Sequence, residues 1–313
     1  MQYFLGLDAG GTKTKAVVID ESSQLIAEAN GGPANYHNIG LTQVTRNVYR
    51  VIEEVISKAL LTEEKITWVT IGIAGCDTQK DYEQLFKTFS TGDMAYLKNK
   101  LTVVNDTKIG LYCGTTPPGI VVVAGTGCNV YGVNAHGEEA SAGNWGHFLG
   151  DKGSGFQLAK RMFQAVVEAY DGSGEPTILN QKIENRLGFT TAADIADWNN
   201  DAKPSIHEVS DFAPLVIVAA EEGDMVAKDL IDKTVGELGK AISAVVKRLK
   251  LENEYNRVVI IGGLFESKYF RAVFEGYVTA LLKRCRIVKP LVSAEVGAAI
   301  MAKGEWEKNK KRV

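Results

Sequence analysis

The sequence predicts an α/β fold built from two domains, each with its own glycine-rich loop near its start. The chain has 313 residues, which at roughly 100–200 residues per domain favours two domains. A pattern of strand, glycine turn, strand, turn and strand opens the chain and recurs at Gly119, about 115 residues later. Because solenoid repeats run at about 20–50 residues, this spacing indicates a duplicated domain instead.

The first domain opens on three short strands, and the second of them alternates polar and apolar residues like a half-buried strand. One face of the helix that follows is apolar, formed by Val44, Val48, Val51, Ile52 and Val55. The elements predicted for this domain are strands 3–7, 13–19, 24–28, 67–73 and 101–104 and helices 42–60 and 81–89. The turn segment Gly114–Pro118 predicts the boundary, so we expect domains at 1–116 and 117–290.

The second domain repeats the three strands and is predicted to be mostly helical after Asp151. In its longest helix, apolar residues recur at alternating steps of three and four, as in a buried stripe, at Ile231, Val235, Leu238, Ile242, Val245 and Leu249. The predicted elements are strands 120–123, 130–134 and 257–261, a further strand after the turn 135–137, and helices 205–222, 225–250 and 293–306. Residues 170–175 are predicted to form a loop between helices.

Composition and charge argue against several classes of protein. Hydrophobic residues make up 45% of the chain and charged residues 23%, the balance of an ordinary soluble globular protein. The net charge is −3, and the one dense basic run, Lys308–Arg312, is interpreted as a solvated tail, so no nucleic-acid partner is expected. No stretch reaches about 18 apolar residues, so no membrane span or membrane partner is expected.

The cysteines and the first residues predict a cytoplasmic protein. Cys76, Cys113, Cys128 and Cys285 show no CxxC spacing, which gives little support to a zinc or iron–sulfur site. Widely spaced cysteines suit a reducing cytosol. The first residues, MQYFLGLDAGG, lack a basic segment followed by a long apolar run, so no signal peptide is expected.

A first candidate site is the loop Asp8-Ala9-Gly10-Gly11-Thr12-Lys13-Thr14, which follows a strand. Glycines let backbone amides approach an anion, as in phosphate-binding nests. The Asp8 carboxylate needs a cation before it can lie near phosphate, and Mg²⁺, bound through water, is the expected bridge. The loop matches neither GxxxxGKS/T nor GxGxxG. An ordinary hairpin turn with glycines at positive φ is the alternative interpretation.

A second glycine loop, Gly125-Thr126-Gly127, follows an apolar run in the matching position of the second domain. Two such loops in a duplicated domain predict two hairpins that grip a polyphosphate from both sides. Gly262-Gly263 ends a later strand before a helix, where a flat ligand such as adenine can lie against the backbone. A close-packed turn would give the same pattern.

Two further segments carry polar groups suited to an acceptor. Asp106 follows the buried strand LTVV, at the sheet edge where α/β folds place their chemistry. It is a candidate to orient a hydroxyl and accept its proton, and a helix N-cap is the alternative. Residues 142–155 hold five glycines with Trp145, His147 and Asp151. A Trp against a carboxylate suits a sugar, whereas His147 is expected to be packed and hydrogen-bonded.

Six motifs occur in the order LGLDAGGTKT, TIGIAGCD, VVNDTKIGL, VVVAGTGCNVYG, GNWGHFLGDKGSG and VIIGGLF. Through them the chain resembles the actin/hexokinase/Hsp70 superfamily from Gln2 to about Lys303. Within it, the match is to the group of the eukaryotic-type N-acetylglucosamine kinases and the BadF/BadG/BcrA/BcrD ATPases. The resemblance implies two actin-like (ribonuclease H-like) domains, each with a mixed five-stranded sheet, a cleft between them, and a C-terminal helix of about 291–313 that packs back on the first domain.

The resemblance also implies roles for particular residues. ATP phosphates would be bound by Gly10, Gly11, Thr12, Lys13 and Thr14 and by Gly125, Thr126 and Gly127, and the adenosine by Gly262 and Gly263. Asp106 would be the general base, and Asp8 would hold Mg²⁺ through water. A sugar would be bound by Asn35, Asp106, Asn144, Trp145 and Asp151.

The implied activity is ATP-dependent phosphorylation of N-acetylglucosamine at the 6-hydroxyl, with N-acetylmuramic acid as a further acceptor, in amino-sugar or cell-wall recycling. The alternatives are glucosamine as the acceptor and a regulatory ATPase without sugar kinase activity. The chain departs from the family at Asn144 and Lys152, where glycine and glutamate are usual, and at Cys128, where serine is common. The first two lie in the sugar loop, so the identity of the sugar stays open. A homodimer is an open alternative to a monomer.

Overall fold

A computed structural model of the chain describes residues 1–252, 254 and 256–311. The chain divides into two compact units. Unit 1 comprises Met1–Pro117 and Lys289–Val313, and unit 2 comprises Pro118–Val288. Arg312 of the predicted basic tail and the last two residues of the predicted segment 291–313 lie outside the described residues.

Unit 1 contains a mixed five-stranded sheet in the order β3-β2-β1-β4-β5. The first three strands form an antiparallel meander, whereas β4 and β5 run parallel to β1. The strands are β1 (Tyr3–Ala9), β2 (Thr14–Asp20), β3 (Leu25–Gly31), β4 (Ile66–Ile73) and β5 (Leu101–Asn105), and the helices are α1 (Tyr36–Ile39), α2 (Leu41–Lys58), α3 (Gln79–Phe89) and α4 (Asp106–Tyr112). The apolar face of α2 is buried as predicted, through Val44, Val48, Val51, Ile52 and Val55.

Unit 2 contains a second five-stranded sheet, in the order β10-β9-β6-β7-β8. Its first three strands repeat the meander, and β9 runs parallel to β6. The strands are β6 (Gly119–Ala124), β7 (Cys128–Val133), β8 (Glu139–Gly143), β9 (Asn256–Ile261) and β10 (Cys285–Val288), and the helices are α5 (Gly146–Leu149), α6 (Gly155–Asp171), α7 (Leu179–Leu187), α8 (Ala192–Asp197), α9 (Ile206–Ser210), α10 (Ala213–Glu221), α11 (Met225–Leu249) and α12 (Lys268–Leu281). The two sheets confirm the predicted duplicated α/β fold.

The last helix, α13 (Ala294–Lys310), packs on the sheet of unit 1. It lies so close to β1 that a Cβ on Gly6 would come within 2.2 Å of the Ala299 nitrogen and 2.3 Å of the Glu295 carbonyl oxygen. Only glycine lets two backbones approach this closely. The contact brings Glu295 to the sheet that carries Asp8.

Three sequence predictions need correction. The single helix predicted at 205–222 is two helices, α9 and α10, because Pro214 in the first turn of α10 lacks an N–H and its ring would collide with the carbonyl of Ser210. The loop predicted at 170–175 begins later, since α6 continues to Asp171 and ends at Gly172 in a left-handed conformation. The four-residue strand β10 was not predicted, being too short to show a periodic pattern.

In the described part of the chain, no helix combines the length and the apolar character that a membrane span requires.

Candidate functional site

The first glycine loop joins β1 to β2 and is tied to the segment that follows β3. The Gly10 amide donates to the Lys13 carbonyl oxygen at 2.9 Å, and the Gly10 carbonyl oxygen accepts from the Ala34 amide at 2.9 Å. Thr14 is buried, and its hydroxyl donates to the Gly32 carbonyl oxygen at 2.7 Å. Gly11, Thr12 and Lys13 are exposed at the turn.

The glycines of this loop are not explained by backbone conformation. Neither Gly10 nor Gly11 has a positive φ, so the alternative of an ordinary turn with glycines at positive φ is wrong. A Cβ on Gly11 would meet nothing within 4 Å. Since neither turn geometry nor packing demands glycine at Gly11, the free space above the backbone suits an approaching ligand.

Asp8 lies near the end of β1, half-buried, beside other carboxylates. Its pKa is raised to about 6, first by burial and then by the charges of Asp106 and Glu295, while the charges of Lys13 and Lys15 lower it. The Lys15 ammonium is 3.7 Å from a Glu295 carboxylate oxygen. A divalent cation would relieve this like-charge repulsion, and carboxylate oxygens are ligands that Mg²⁺ prefers. The residues present therefore fit the predicted water-mediated Mg²⁺ contact.

Asp8→Asn is expected to raise the melting temperature of the ligand-free protein at pH 8. The folded-state pKa of Asp8 lies above the ordinary 3.8, so the carboxylate destabilises the fold above about pH 6, and this cost disappears as pH falls below 4. The gain at pH 8 should be on the order of 2 kcal/mol in the free energy of unfolding, with most of it absent at pH 4.

Thermal unfolding of both proteins at pH 8 and pH 4 measures this effect. Asp20→Asn is a suitable control, because hydrogen bonds from Ser22 and Gln24 lower the pKa of Asp20 and reverse the sign. A lower melting temperature of Asp8→Asn at pH 8 would contradict the burial of a disfavoured charge at Asp8.

Asp106 is the first residue of α4, directly after β5. Burial raises the pKa of its carboxyl group, and the charge of Asp77 raises it further. The alternative of a helix N-cap is wrong for Asp106, because Asn105 is the cap and its side-chain oxygen accepts from the Thr107 amide at 2.9 Å. The raised pKa of Asp106 is the direction of shift that favours a general base.

Three parallel strands of unit 1 end side by side, and their ends carry the predicted groups. Ala9 of β1 is opposite Ile73 of β4, and Ile73 is opposite Asn105 of β5. The chain after β4 turns at Gly75, whose φ is +86°. A Cβ there would lie 3.1 Å from the side-chain oxygen of Asn35, so the predicted sugar-binding Asn35 lies directly against this turn. Open α/β sheets bind ligands at this edge.

The second glycine loop lies against the start of α6 in unit 2. The Gly125 amide donates to the Gly127 carbonyl oxygen at 3.0 Å, and the Gly125 carbonyl oxygen accepts from the Gly155 amide at 2.7 Å. The Thr126 hydroxyl is 3.3 Å from a ring nitrogen of His207. The position of Gly262 beside this loop requires glycine, since its φ is +117° and a Cβ would lie 2.3 Å from the Ala124 carbonyl oxygen.

A cavity of about 490 Å³ opens beside this loop, within the size range of small-ligand sites. Thr126 and Gly263 line it together with Arg186, Ser210 and Asp211. The Arg186 guanidinium lies 4.5 Å from the centre of the Phe212 ring. The sequence did not predict Arg186, Ser210 and Asp211, because they are not part of any glycine motif. They are identified only by their place in the lining of this cavity.

The predicted sugar loop extends from β8 through α5 to Asp151. Trp145 is 64% exposed, and Phe148 and Leu149 are more so. A Cβ on Gly127 would lie 3.2 Å from a carboxylate oxygen of Asp151, which places Asp151 against the second glycine loop. His147 is exposed, and its ring meets that of Phe156 edge-on with ring centres 5.3 Å apart, so it is not buried as a packed histidine would be.

Asn144 has a structural explanation as a replacement for the more usual glycine. Its φ is +62°, a left-handed conformation that asparagine tolerates better than most residues. Its amide donates to the Cys128 carbonyl oxygen at 3.1 Å, as the second strand of the meander begins. The backbone of the loop therefore accommodates this departure from the family pattern. Nothing in the structure explains Lys152.

Comparison with protein families and known proteins identifies the family of this chain. Residues 5–302 match the model of the BadF/BadG/BcrA/BcrD ATPase family. The chain therefore belongs to the BadF/BadG/BcrA/BcrD ATPase family. This membership confirms the resemblance inferred from the six motifs.

Two relatives match over nearly their full lengths. The N-acetylmuramic acid/N-acetylglucosamine kinase of Clostridium acetobutylicum is 28% identical over 309 residues, which cover 98% of this chain and 100% of the relative. The N-acetyl-D-glucosamine kinase of Dictyostelium discoideum is 29% identical over 318 residues, which cover 96% of this chain and 98% of the relative.

Among solved structures, a candidate N-acetylglucosamine kinase from Chromobacterium violaceum is similar, with a TM-score of 0.70 and 23% identity. The alignment covers 96% of this chain and 99% of that chain. The likeness confirms the predicted fold, with two actin-like units each built around a five-stranded sheet.

Proposed function

We propose that this chain transfers the γ-phosphoryl group of ATP to the 6-hydroxyl of N-acetylglucosamine. Family membership and the two full-length kinase relatives establish that it is an ATP-dependent sugar kinase of the amino-sugar group. The acceptor, the hydroxyl and the roles of individual residues are the proposal. The observation that supports it best is the placement of Asp106, partly buried and with a raised pKa, at the strand ends where Asp8 lies and where Asn35 contacts the Gly75 turn.

In this proposal, Asp106 acts on the acceptor hydroxyl. Its carboxylate accepts the proton as the hydroxyl oxygen attacks the γ-phosphorus and the bond to the leaving ADP oxygen breaks. Kinases of this kind depend on positioning and on electrostatic stabilisation more than on covalent chemistry. Asn35 would hold the sugar in register with Asp106, since its side chain is fixed against Gly75 at the same edge.

Each unit carries a glycine loop that we propose as a phosphate-binding element. The Gly10 and Gly125 amides are bonded within their own loops, so the anion would be met by the backbone amides of Gly11 and Thr12 and of Thr126 and Gly127. Mg²⁺ bound near Asp8 would supply positive charge to neutralise the phosphates. The adenosine would occupy the cavity lined by Gly263 and Arg186, where the guanidinium offers a planar face for stacking.

Unit 2 carries the other residues proposed to bind the sugar. Trp145 offers an exposed aromatic face to the apolar side of a pyranose ring, and Asp151 offers a hydrogen-bond acceptor beside the second glycine loop. We also place the enzyme in the cytosol. This placement is supported by four cysteines that are all free thiols.

A panel of acceptors tests the proposal. ADP release is measured with MgATP and N-acetylglucosamine, N-acetylmuramic acid or glucosamine, and the phosphorylated carbon is identified by NMR. We expect the highest kcat/KM with N-acetylglucosamine and phosphate on C6. Preference for glucosamine would overturn the acetylated acceptor. Basal ATP hydrolysis that no sugar stimulates would favour the regulatory ATPase.

A further inference from the structure

A buried carboxylate outside the predicted site connects several of its parts. Asp81 lies in the first turn of α3 and is 7% exposed. One of its carboxylate oxygens accepts a hydrogen bond from the Tyr36 hydroxyl. The other accepts from the Thr78 amide and the Thr78 hydroxyl, both at 2.8 Å, and from the Asp77 amide at 3.2 Å. Asp81 thus receives hydrogen bonds from two separate segments of the chain.

The first of these segments carries Asn35. Tyr36 and His37 open the four-residue helix α1, and Asn35 caps it by accepting from the His37 amide at 3.1 Å. No residue of α1 is fully buried, so core packing alone does not fix its position. The His37 ring adds contacts to the same region, at 3.3 Å from the Gly75 carbonyl oxygen and 3.9 Å from Asp81.

The second segment leads to Asp106. Asp77, whose amide donates to Asp81, accepts through its own carboxylate from the Asn105 side-chain amide at 2.8 Å. Asn105 is the residue that caps α4, of which Asp106 is the first residue. Hydrogen bonds, linked by short covalent stretches of α1 and of Asp77, therefore connect Asn35 through Asp81 to the residue that precedes Asp106.

A purely local role as a helix cap does not account for these contacts. Thr78 and Asp81 form a reciprocal capping box at the start of α3. Thr191 and Asp194 form the same box at the start of α8. Within the described residues, the bonds to Asp194 come from Thr190 and Thr191, its own neighbours in sequence. The bond from Tyr36, 45 residues away in sequence, is an addition that capping does not require.

We propose that Asp81 is a positioning residue for the acceptor sugar. Through its hydrogen bond with the Tyr36 hydroxyl, Asp81 holds α1 in place and thereby fixes the orientation of Asn35. The inference rests on the proposed acceptor-binding role of Asn35. Removal of the Tyr36 hydroxyl breaks the connection and leaves the capping box intact. Acceptor affinity then falls because Asn35 loses its fixed orientation, whereas ATP affinity does not depend on this connection.

Tyr36→Phe and Asp81→Asn are the test variants. For Tyr36→Phe we expect the Kd of N-acetylglucosamine, measured by calorimetry without ATP, to rise about fivefold, the effect of one lost hydrogen bond. Its KM for the sugar should rise in parallel, while its KM for ATP stays within about twofold of wild type. Asp81→Asn should weaken acceptor binding at least as much, because it also disturbs the contacts of Thr78 and Asp77.

Asp194→Asn is the matched control, because it alters the same kind of capping box away from α1. It should lower the melting temperature and leave the acceptor Kd unchanged. If Tyr36→Phe and Asp81→Asn also lowered only the melting temperature, Asp81 would be a helix cap and the inference would be overturned.

Asn35→Ala separates this inference from the proposed function. If Asn35→Ala weakens acceptor binding and Tyr36→Phe does not, the positioning role of Asp81 is overturned and the acceptor site stands. If Asn35→Ala leaves the acceptor Kd unchanged, the proposed acceptor role of Asn35 fails first, and the role of Asp81 fails with it.

Discussion

Asp106→Asn is expected to lower kcat by about 10²- to 10⁴-fold, the usual contribution of a general base. The variant keeps the size of the side chain and the start of α4, so ATP affinity should stay near wild type. Its melting temperature at pH 8 should rise, as for Asp8→Asn, because a carboxylate with a raised pKa destabilises the fold when it is ionised. The carboxylate suits this role because burial and the charge of Asp77 raise its pKa. A hydroxyl proton is transferred more readily to a base whose pKa lies nearer the working pH.

The pH profile offers an independent measurement of the same assignment. Asp77→Asn removes a negative charge that raises the pKa of Asp106, so the acid limb of kcat/KM should move to lower pH. The sign follows because fewer like charges favour the ionised, active form of Asp106. The apparent pKa of the acid limb reports Asp8 and Asp106 together, since the charges of the two groups interact. An Asp106→Asn enzyme that turned over at near wild-type rate would show that another group accepts the proton.

The fold could be predicted because its signals are local or repeated. Strands that lead into glycine turns appear twice, and the stripe of α11 from Ile231 to Leu249 follows a regular period. The prediction failed where one residue overrides a local preference, as Pro214 does in the first turn of α10. It also failed for β10, whose pairing with β9 depends on residues distant in sequence.

The residues of the candidate site could be proposed from the sequence where a glycine turn or the end of a buried strand marks them. The two loops and Gly262 are visible in the sequence because ligands and close backbones both exclude a Cβ. The hydrogen bond between Tyr36 and Asp81, and the cavity residue Arg186, involve common side chains brought together by folding. No spacing of residues in the sequence predicts these contacts, so they were found only in the structure.

Gly262→Ala is expected to disrupt the proposed nucleotide site more than any other single methyl group placed in unit 2. The φ of +117° is strained for every residue except glycine, and the new Cβ would lie 2.3 Å from the Ala124 carbonyl oxygen and 2.8 Å from the Gly125 amide. Both of these atoms belong to backbone, so no side-chain rotation can relieve the collision. We expect a loss of at least about 2 kcal/mol in the free energy of unfolding.

The same collision should weaken ATP binding, because the displaced atoms begin the second glycine loop. The expected rise in the KM for ATP is about tenfold or more, equivalent to about 1.4 kcal/mol of binding energy. Gly263→Ala is the control for folding alone, since a Cβ there meets nothing within 4 Å, and its melting temperature should match wild type. If Gly262→Ala bound ATP and unfolded like wild type, β9 would not lie against the second glycine loop as described. The assignment of that loop to the phosphates would then lose its structural support, because Gly262 is the residue that fixes its start.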